Sequence, residues 1–415
     1  MSQSRTILVA SNLIRKAAVT LFALIGFVFV IAAAQSAHAQ TYKVIYNFTS
    51  VGNGGNDPFA GPVFDAKGNL YGTTYLGGSY GSGTVYALLA RGSSWDYATL
   101  HSFKGERADG AAPGFGSLII YNDCALLGTT EAGGNFGTVF GEKPKGNPYC
   151  KSGGPWGERM IHVFGNGQDG DQPLGGVVAD AAGNIYGTTS QGGTYGGGIV
   201  YEISRTGVET ILYNFTGGDD GFNPVAAPTI DAQGNLYGTT SLGGADGNGV
   251  IFELAKSGSS WTESTLYTFQ GLSDGQNPVG GVTVDKNGNL FGGTFFGGDD
   301  GGGNVYELSP SGTSWNFTLL HSFSTYYGPY NKLTLDSKGN VYGTCNGAGA
   351  YGVGSVFELT PSNGSWTFTD LYDFPGGANG AMPWGSVAVD AKGNVFGTTS
   401  IGGSNNDGVV FEITE

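Results

Sequence analysis

The chain has 415 residues, 78 of them glycine, with 13% aromatic and only 12% charged residues and a formal net charge of −15. Charged residues stand near about 25% in ordinary soluble domains, so this mixture suits short strands joined by tight turns. The acidic balance excludes nucleic acid as a partner, because a phosphate backbone calls for a basic surface.

At the N-terminus, Arg5, Arg15 and Lys16 flank the start of an apolar run over 17–34, and Ala37-His38-Ala39 is a small-x-small cleavage site. Residues 1–39 are therefore expected to be a bacterial export signal. The competing reading is an uncleaved anchor, since the run is near bilayer-spanning length. Removal of the signal leaves 15 Lys and Arg against 33 Asp and Glu, a net charge of −18. A secreted or cell-surface protein is expected, with no membrane span after cleavage.

Residues 68–88, GNLYGTTYLGGSYGSGTVYAL, are rich enough in glycine to suggest a phosphate-binding loop. Such a loop needs a helix N-terminus and, in the P-loop case, a Lys followed by Ser or Thr. Here the glycines run into Thr84, Val85 and Tyr86, which favour a strand. The stretch is instead one copy of a repeat: GNLYGTT at 68, CALLGTT at 124, GNIYGTT at 183, GNLYGTT at 234, GNLFGGT at 288, GNVYGTC at 339 and GNVFGTT at 393. Strand-like repeats of roughly fifty residues belong to propellers or β-solenoids.

The fifth copy displays four strand signals: a over 278–285, b over 289–294 behind the turn residues Asn287-Gly288, c over 304–309 and d over 315–323. Residues 42–48, YKVIYNF, match strand d, and residues 408–414, GVVFEIT, match strand c. Strand-d signals begin at 42, 95, 156, 208, 261, 315 and 366. The prediction is an all-β, seven-bladed propeller over residues 40–415, four antiparallel strands per blade, closed by the N-terminal strand completing the last blade. Closure removes exposed sheet edges. The glycines between strands b and c then serve turns with positive φ.

The repeated pattern DxxGNLYGTTxxGGxxGxGTVYEL, read from Asp65, Asp231, Asp285 and Asp390, resembles the GloVer tandem repeat of secreted bacterial proteins. The resemblance implies export and a repeat fold, and it supplies no catalytic residue or substrate. Members often carry a C-terminal sorting anchor; this sequence ends on a strand-c signal, so attachment through such an anchor is not expected.

Candidate sites are few. His101, His162 and His321 share one slot of strand d that holds Tyr in other copies, which reads as aromatic packing. Cys124, in the a-to-b turn of the second blade, and Cys150, in its long c-to-d connection, fall at the same end of one sheet and are a disulfide candidate in an exported protein. Cys345 replaces a repeat Thr and reads as a lone buried thiol.

The d-to-a connections carry Asp109, Asp169, Asp171, Asp219, Asp220 and Asp274, and the b-to-c loop of the fifth blade carries Asp299 and Asp300. Both loop classes share one propeller face, where carboxylates from several blades are expected to ring the channel. Asp-Gly is good turn chemistry; oxygen-rich loops also suit a hard cation such as calcium, although no stretch matches an EF-hand. Tyr326, Tyr327 and Tyr330, with Trp384, are candidates for stacking on a sugar ring or for local packing.

No catalytic residue is assigned. The leading reading is a monomeric, non-catalytic extracellular module binding a glycan or protein. The alternative is a carbohydrate-active enzyme, a glycoside hydrolase or lyase, with paired carboxylates on the acidic loop face. An enzyme site should break the repeat's symmetry, and a scaffold should keep it.

Overall fold

Each copy of the repeat folds into a four-stranded antiparallel sheet, and seven such sheets form the blades of a propeller spanning Tyr42–Thr414. The computed structural model describes residues 40–106, 109–121, 125–143, 157–165, 167–271, 273–324 and 327–414. Blade 4 is representative, with strand a Thr229–Ile230, b Leu236–Thr240, c Val250–Ser257 and d Ser260–Thr268. Blade 7 combines Ala388–Val389, Val395–Thr399 and Val409–Thr414 with the N-terminal strand Thr41–Asn47 as its outermost member. Among the described residues the one helical element is a short 3-10 turn, Gly377–Asn379.

The LYGTT stretch forms strand b and is buried at every position, because a neighbouring blade covers each face of the sheet. Its glycine admits the aromatic ring of strand c: a Cβ on Gly238 would stand 2.5 Å from Phe252 Cζ. Strand d alternates exposed and half-buried residues over its first half, as an outer strand should. Strand a is shorter than its apolar sequence suggests: in blade 5 only Val282–Val284 pair, and the preceding Pro278 to Gly281 approach the channel as irregular backbone.

The core is distributed. Seven apolar clusters occupy the seven junctions between adjacent blades. At the junction of blades 3 and 4, Tyr186, Val200 and Phe215 meet Leu236, Phe252 and Leu254. At the closing junction, Phe48, Phe396 and Val410 of blade 7 meet Leu70, Tyr86 and Leu88 of blade 1. Burial of each such side chain contributes about 1.5–3 kcal/mol. Ring closure therefore stabilises the fold to the same degree as any internal junction.

The first Thr of the GTT stretch adds a polar staple between blades. Thr188, Thr344 and Thr398 donate their hydroxyls to the backbone carbonyls of Ala226, Gly385 and Ala60 in the next blade, at 2.8, 2.9 and 3.0 Å. The last of these again joins blade 7 to blade 1.

Candidate functional site

Four junctions each carry one rim carboxylate that closes its connection. Asp109 accepts the Lys104 N–H at 2.6 Å, Asp169 the Gly165 N–H at 3.0 Å, Asp220 the Thr216 N–H at 2.7 Å and Asp274 the Gln270 N–H at 2.9 Å. Each closes its own loop, and the hydroxyls of Tyr213 and Tyr267 donate to Asp220 and Asp274 at 3.0 Å. His101 fills the same slot, with Nε2 2.9 Å from Asp109. These carboxylates are tied to strand d, the outermost of each blade, so they stand at the periphery and do not ring the channel mouth. Asp171 is half-buried, and burial lifts its carboxyl above the usual range. Asp219, Asp299 and Asp300 are exposed. Cys124, Cys150 and Tyr326 lie outside the described residues, while Cys345 is a free, fully buried thiol.

The His/Tyr slot does more than pack. At four junctions it stacks on a ring of the next blade: Tyr46 on Tyr97 at 4.3 Å, Tyr267 on Phe317 at 4.6 Å, His321 on Phe368 at 3.8 Å and Tyr372 on Tyr42 at 3.9 Å. Three junctions differ, and at that of blades 3 and 4 Tyr213 faces Glu263. His101 Nδ1 faces the buried Glu142 at 3.4 Å, and His162 Nε2 stands 3.5 Å from Glu209 and 3.9 Å from Asp169. Burial pushes all three imidazoles below their ordinary range. Burial first and then the Asp169 charge push Glu209 up to about 7.

Symmetry breaks at the channel mouth. Six connections take nine or ten steps from the conserved-in-register Phe at the end of strand d to the Pro before strand a, but Phe323 to Pro329 takes six. The lobe that holds an Asp-Gly pair in four of the other connections is missing there. Gly293 stands where four of the six other copies carry a Thr staple seated against the next blade. A Cβ at Gly293 would approach Pro329 Cβ to 2.7 Å, so the shortened connection is what requires the glycine.

Aromatic rings occupy the notch. Phe295 packs on Tyr327 and Tyr330, each at 5.2 Å, and Tyr330 meets Trp384 edge-on at 5.0 Å. Phe115 of blade 2 touches Tyr330 of blade 6 at 5.1 Å and Phe59 of blade 1 at 5.0 Å, so the cluster reaches across the axis. Tyr327 is 44% exposed and sits in the left-handed region at φ 80°. In blades 3, 4 and 5 the position of Tyr330 holds Leu174, Val225 and Val279. The mouth is thus aromatic on one side and aliphatic on the other.

Below the rings lies a cavity of roughly 130 Å³, bounded by Phe115, Ser117, Val225, Asn331, Lys332 and Ser386 among others. Other blades place Gly, Ala or Ser at the position of Lys332. Its ammonium donates to Thr229 Oγ1 of blade 4, past the intervening blade 5. Burial pushes Lys332 down to about 8. Asn331 donates to the backbone carbonyls of Trp384 at 2.7 Å and Phe115 at 3.3 Å, which holds three blades in register around the mouth.

A sequence profile described as the Gloeobacter/Verrucomicrobia repeat matches residues 25–227, 154–323 and 230–415. The chain belongs to this repeat family. No curated protein matches the sequence. Among solved structures, the extracellular domain of a candidate one-component system, BT4673 of B. thetaiotaomicron, is similar at a TM-score of 0.56 and 10% identity. The match covers 89% of this chain and 39% of that one, so this chain spans well under half the length of that protein. A candidate 6-phosphogluconolactonase from Bacteroides uniformis is similar at a TM-score of 0.52 and 15% identity, covering 79% of this chain and 88% of that one. At these identities the likeness is one of fold.

Within this repeat family fold, Tyr330 and Trp384 were readable as unusual aromatics, but Phe59, Phe115 and Phe295 were not. Their blades are far apart in sequence and meet only when the ring closes. Lys332 left a signal, a long cation in an otherwise small-residue position, that register alignment of the strand-a segments exposes.

Proposed function

We propose that this repeat-family propeller is an exported binding module whose aromatic mouth, between blades 5, 6 and 7, takes a neutral glycan. The observation that carries the reading is the local loss of symmetry. The one shortened connection coincides with Gly293, with the paired Phe295-Phe296 and with Tyr327, Tyr330 and Trp384. Flat rings with an exposed member suit stacking on sugar faces, and the hydroxyl of Tyr and the indole N–H add polar handles. The acidic charge of the chain outside its leader disfavours polyanionic glycans.

A catalytic reading needs two carboxylates facing one bond, with one of them protonated. Glu131 stands close enough for its charge to act on Tyr330 and accepts the Tyr75 hydroxyl at 2.6 Å, while the cavity itself is lined by aromatic, aliphatic, Asn and Lys side chains. Binding without hydrolysis accounts better for that set. Export rests on the leader pattern of residues 1–39, and it agrees with the extracellular setting of the BT4673 domain. Among the described residues no helix is long and apolar enough to cross a membrane.

The test is affinity electrophoresis through gels containing neutral polysaccharides such as glucan, xylan or mannan. Retardation of the wild-type chain, abolished in Trp384→Ala and in Tyr330→Ala, supports the reading. Migration unchanged in every gel, or equal retardation of wild type and both variants, rejects it.

A further inference from the structure

We propose that His162, Asp169 and Glu209 bind a single divalent transition-metal ion, of the zinc class, at the junction of blades 2 and 3. The site is built by two elements and one loop. His162 comes from strand d of blade 2, Gly157–Val163, and Glu209 opens strand d of blade 3, Glu209–Asn214. Asp169 comes from the connection leaving blade 2, fixed by its bond to the Gly165 N–H.

One ligand atom from each residue lies within 4.8 Å of the other two. His162 Nε2 is 3.5 Å from Glu209 Oε2 and 3.9 Å from Asp169 Oδ2, too far for hydrogen bonds, whose heavy atoms lie about 2.7–3.2 Å apart. Ligands roughly 2.0–2.2 Å from a tetrahedral zinc ion stand roughly 3.3–3.6 Å from one another; the His162–Glu209 separation of 3.5 Å matches this, and the His162–Asp169 separation of 3.9 Å would have to shorten slightly on binding. His162 Nε2 and Glu209 Oε1 are buried and find no hydrogen-bond partner among the described residues. An imidazole nitrogen and a carboxylate oxygen left in that condition are costly unless a ligand binds them.

The other junctions show what the slot looks like without such a space. Tyr267 reaches Asp274 directly at 3.0 Å and stacks on Phe317, and His101 reaches Asp109 directly at 2.9 Å. Among the described residues, the trio at blades 2 and 3 is the one group of three or more His, Cys, Asp or Glu side chains with this convergence. One imidazole and two carboxylates suit zinc and its first-row neighbours. Calcium calls for six to eight oxygens, which this set does not supply. The side chains keep 14–18% of their surface exposed, enough to admit an ion from solvent. The ion would cross-link two blades and one loop, so its role is to fasten this junction, and it stands apart from the glycan-binding mouth.

The test uses the full chain, stripped with chelator and titrated with zinc by isothermal calorimetry, with thermal unfolding in parallel. Expected is one equivalent bound and a midpoint raised by several degrees. Glu209→Gln should weaken binding at least tenfold. His162→Tyr should do the same while folding normally, since Tyr46, Tyr213, Tyr267 and Tyr372 fill that slot in other blades. Wild-type protein that binds no stoichiometric zinc, variants that bind it as tightly as wild type, or an equal response to calcium would overturn the proposal.

Discussion

Replacing Lys332 with Met should stabilise the propeller, because the wild-type ammonium is held in the channel with a hydroxyl as its polar partner. Burial lowers its pKa from the ordinary 10.5 to about 8. At about 1.36 kcal/mol per pKa step, the protonated lysine costs the folded state roughly 3 kcal/mol at neutral pH. Lys332 keeps part of its surface exposed, which screens part of that, so a gain of about 2 kcal/mol in Lys332→Met is the expectation. The sign of the pH dependence follows from linkage. Between pH 8 and 10.5 the unfolded chain keeps a proton that folded Lys332 has lost, so wild-type stability rises with pH across that window. The variant lacks this contribution. Urea unfolding of both proteins at pH 7 and pH 10 reads the difference directly, and titration of the tyrosines cancels between them. The gap should shrink from about 2 kcal/mol at pH 7 to under about 1 kcal/mol at pH 10. A constant gap, or a variant less stable than wild type at both values, would refute the assignment of a destabilising charge to this position.

Two further substitutions probe the ring and its notch. Phe48→Ala removes a fully buried ring from the closing cluster of blades 7 and 1, and should cost about 3–5 kcal/mol in urea unfolding, as large core truncations do; a loss below about 1 kcal/mol would mean that the N-terminal strand does not close the ring. Gly293→Thr installs the residue that all six other copies carry and should nevertheless destabilise by about 1–3 kcal/mol through collision with Pro329. A neutral or stabilising effect in the same assay would remove the steric account of the notch.

The blade plan was legible because each of its elements is written locally and repeated: the Asn-Gly turn, the buried LYGTT strand and the alternating strand d. The terminal match of 42–48 to strand d and 408–414 to strand c was enough to close the ring, and the pairing of Thr41–Asn47 with Val409–Thr414 follows it. Strand a was overextended, since Pro278, Val279 and Gly280 have strand-like character in sequence yet face the channel instead of a neighbour strand. In sequence the Asp-Gly connections suggest a ring of carboxylates. In the folded blade Asp220 and Asp274 are spent on their own loops and on the tyrosines of strand d. His162 looks like a packing residue in sequence because Asp169 sits in its own blade's connection like the other rim carboxylates, while Glu209 becomes its neighbour only when blade 3 docks on blade 2.

Hydroxyl-radical footprinting with and without a retained polysaccharide tests the central claim most directly. The account predicts reduced oxidation of Phe295, Tyr327, Tyr330 and Trp384 at the mouth, with Trp95, Trp261, Trp315 and Trp366 at the starts of the strands d unchanged. Protection confined to those outer tryptophans, with the mouth as reactive as in the free protein, would contradict it.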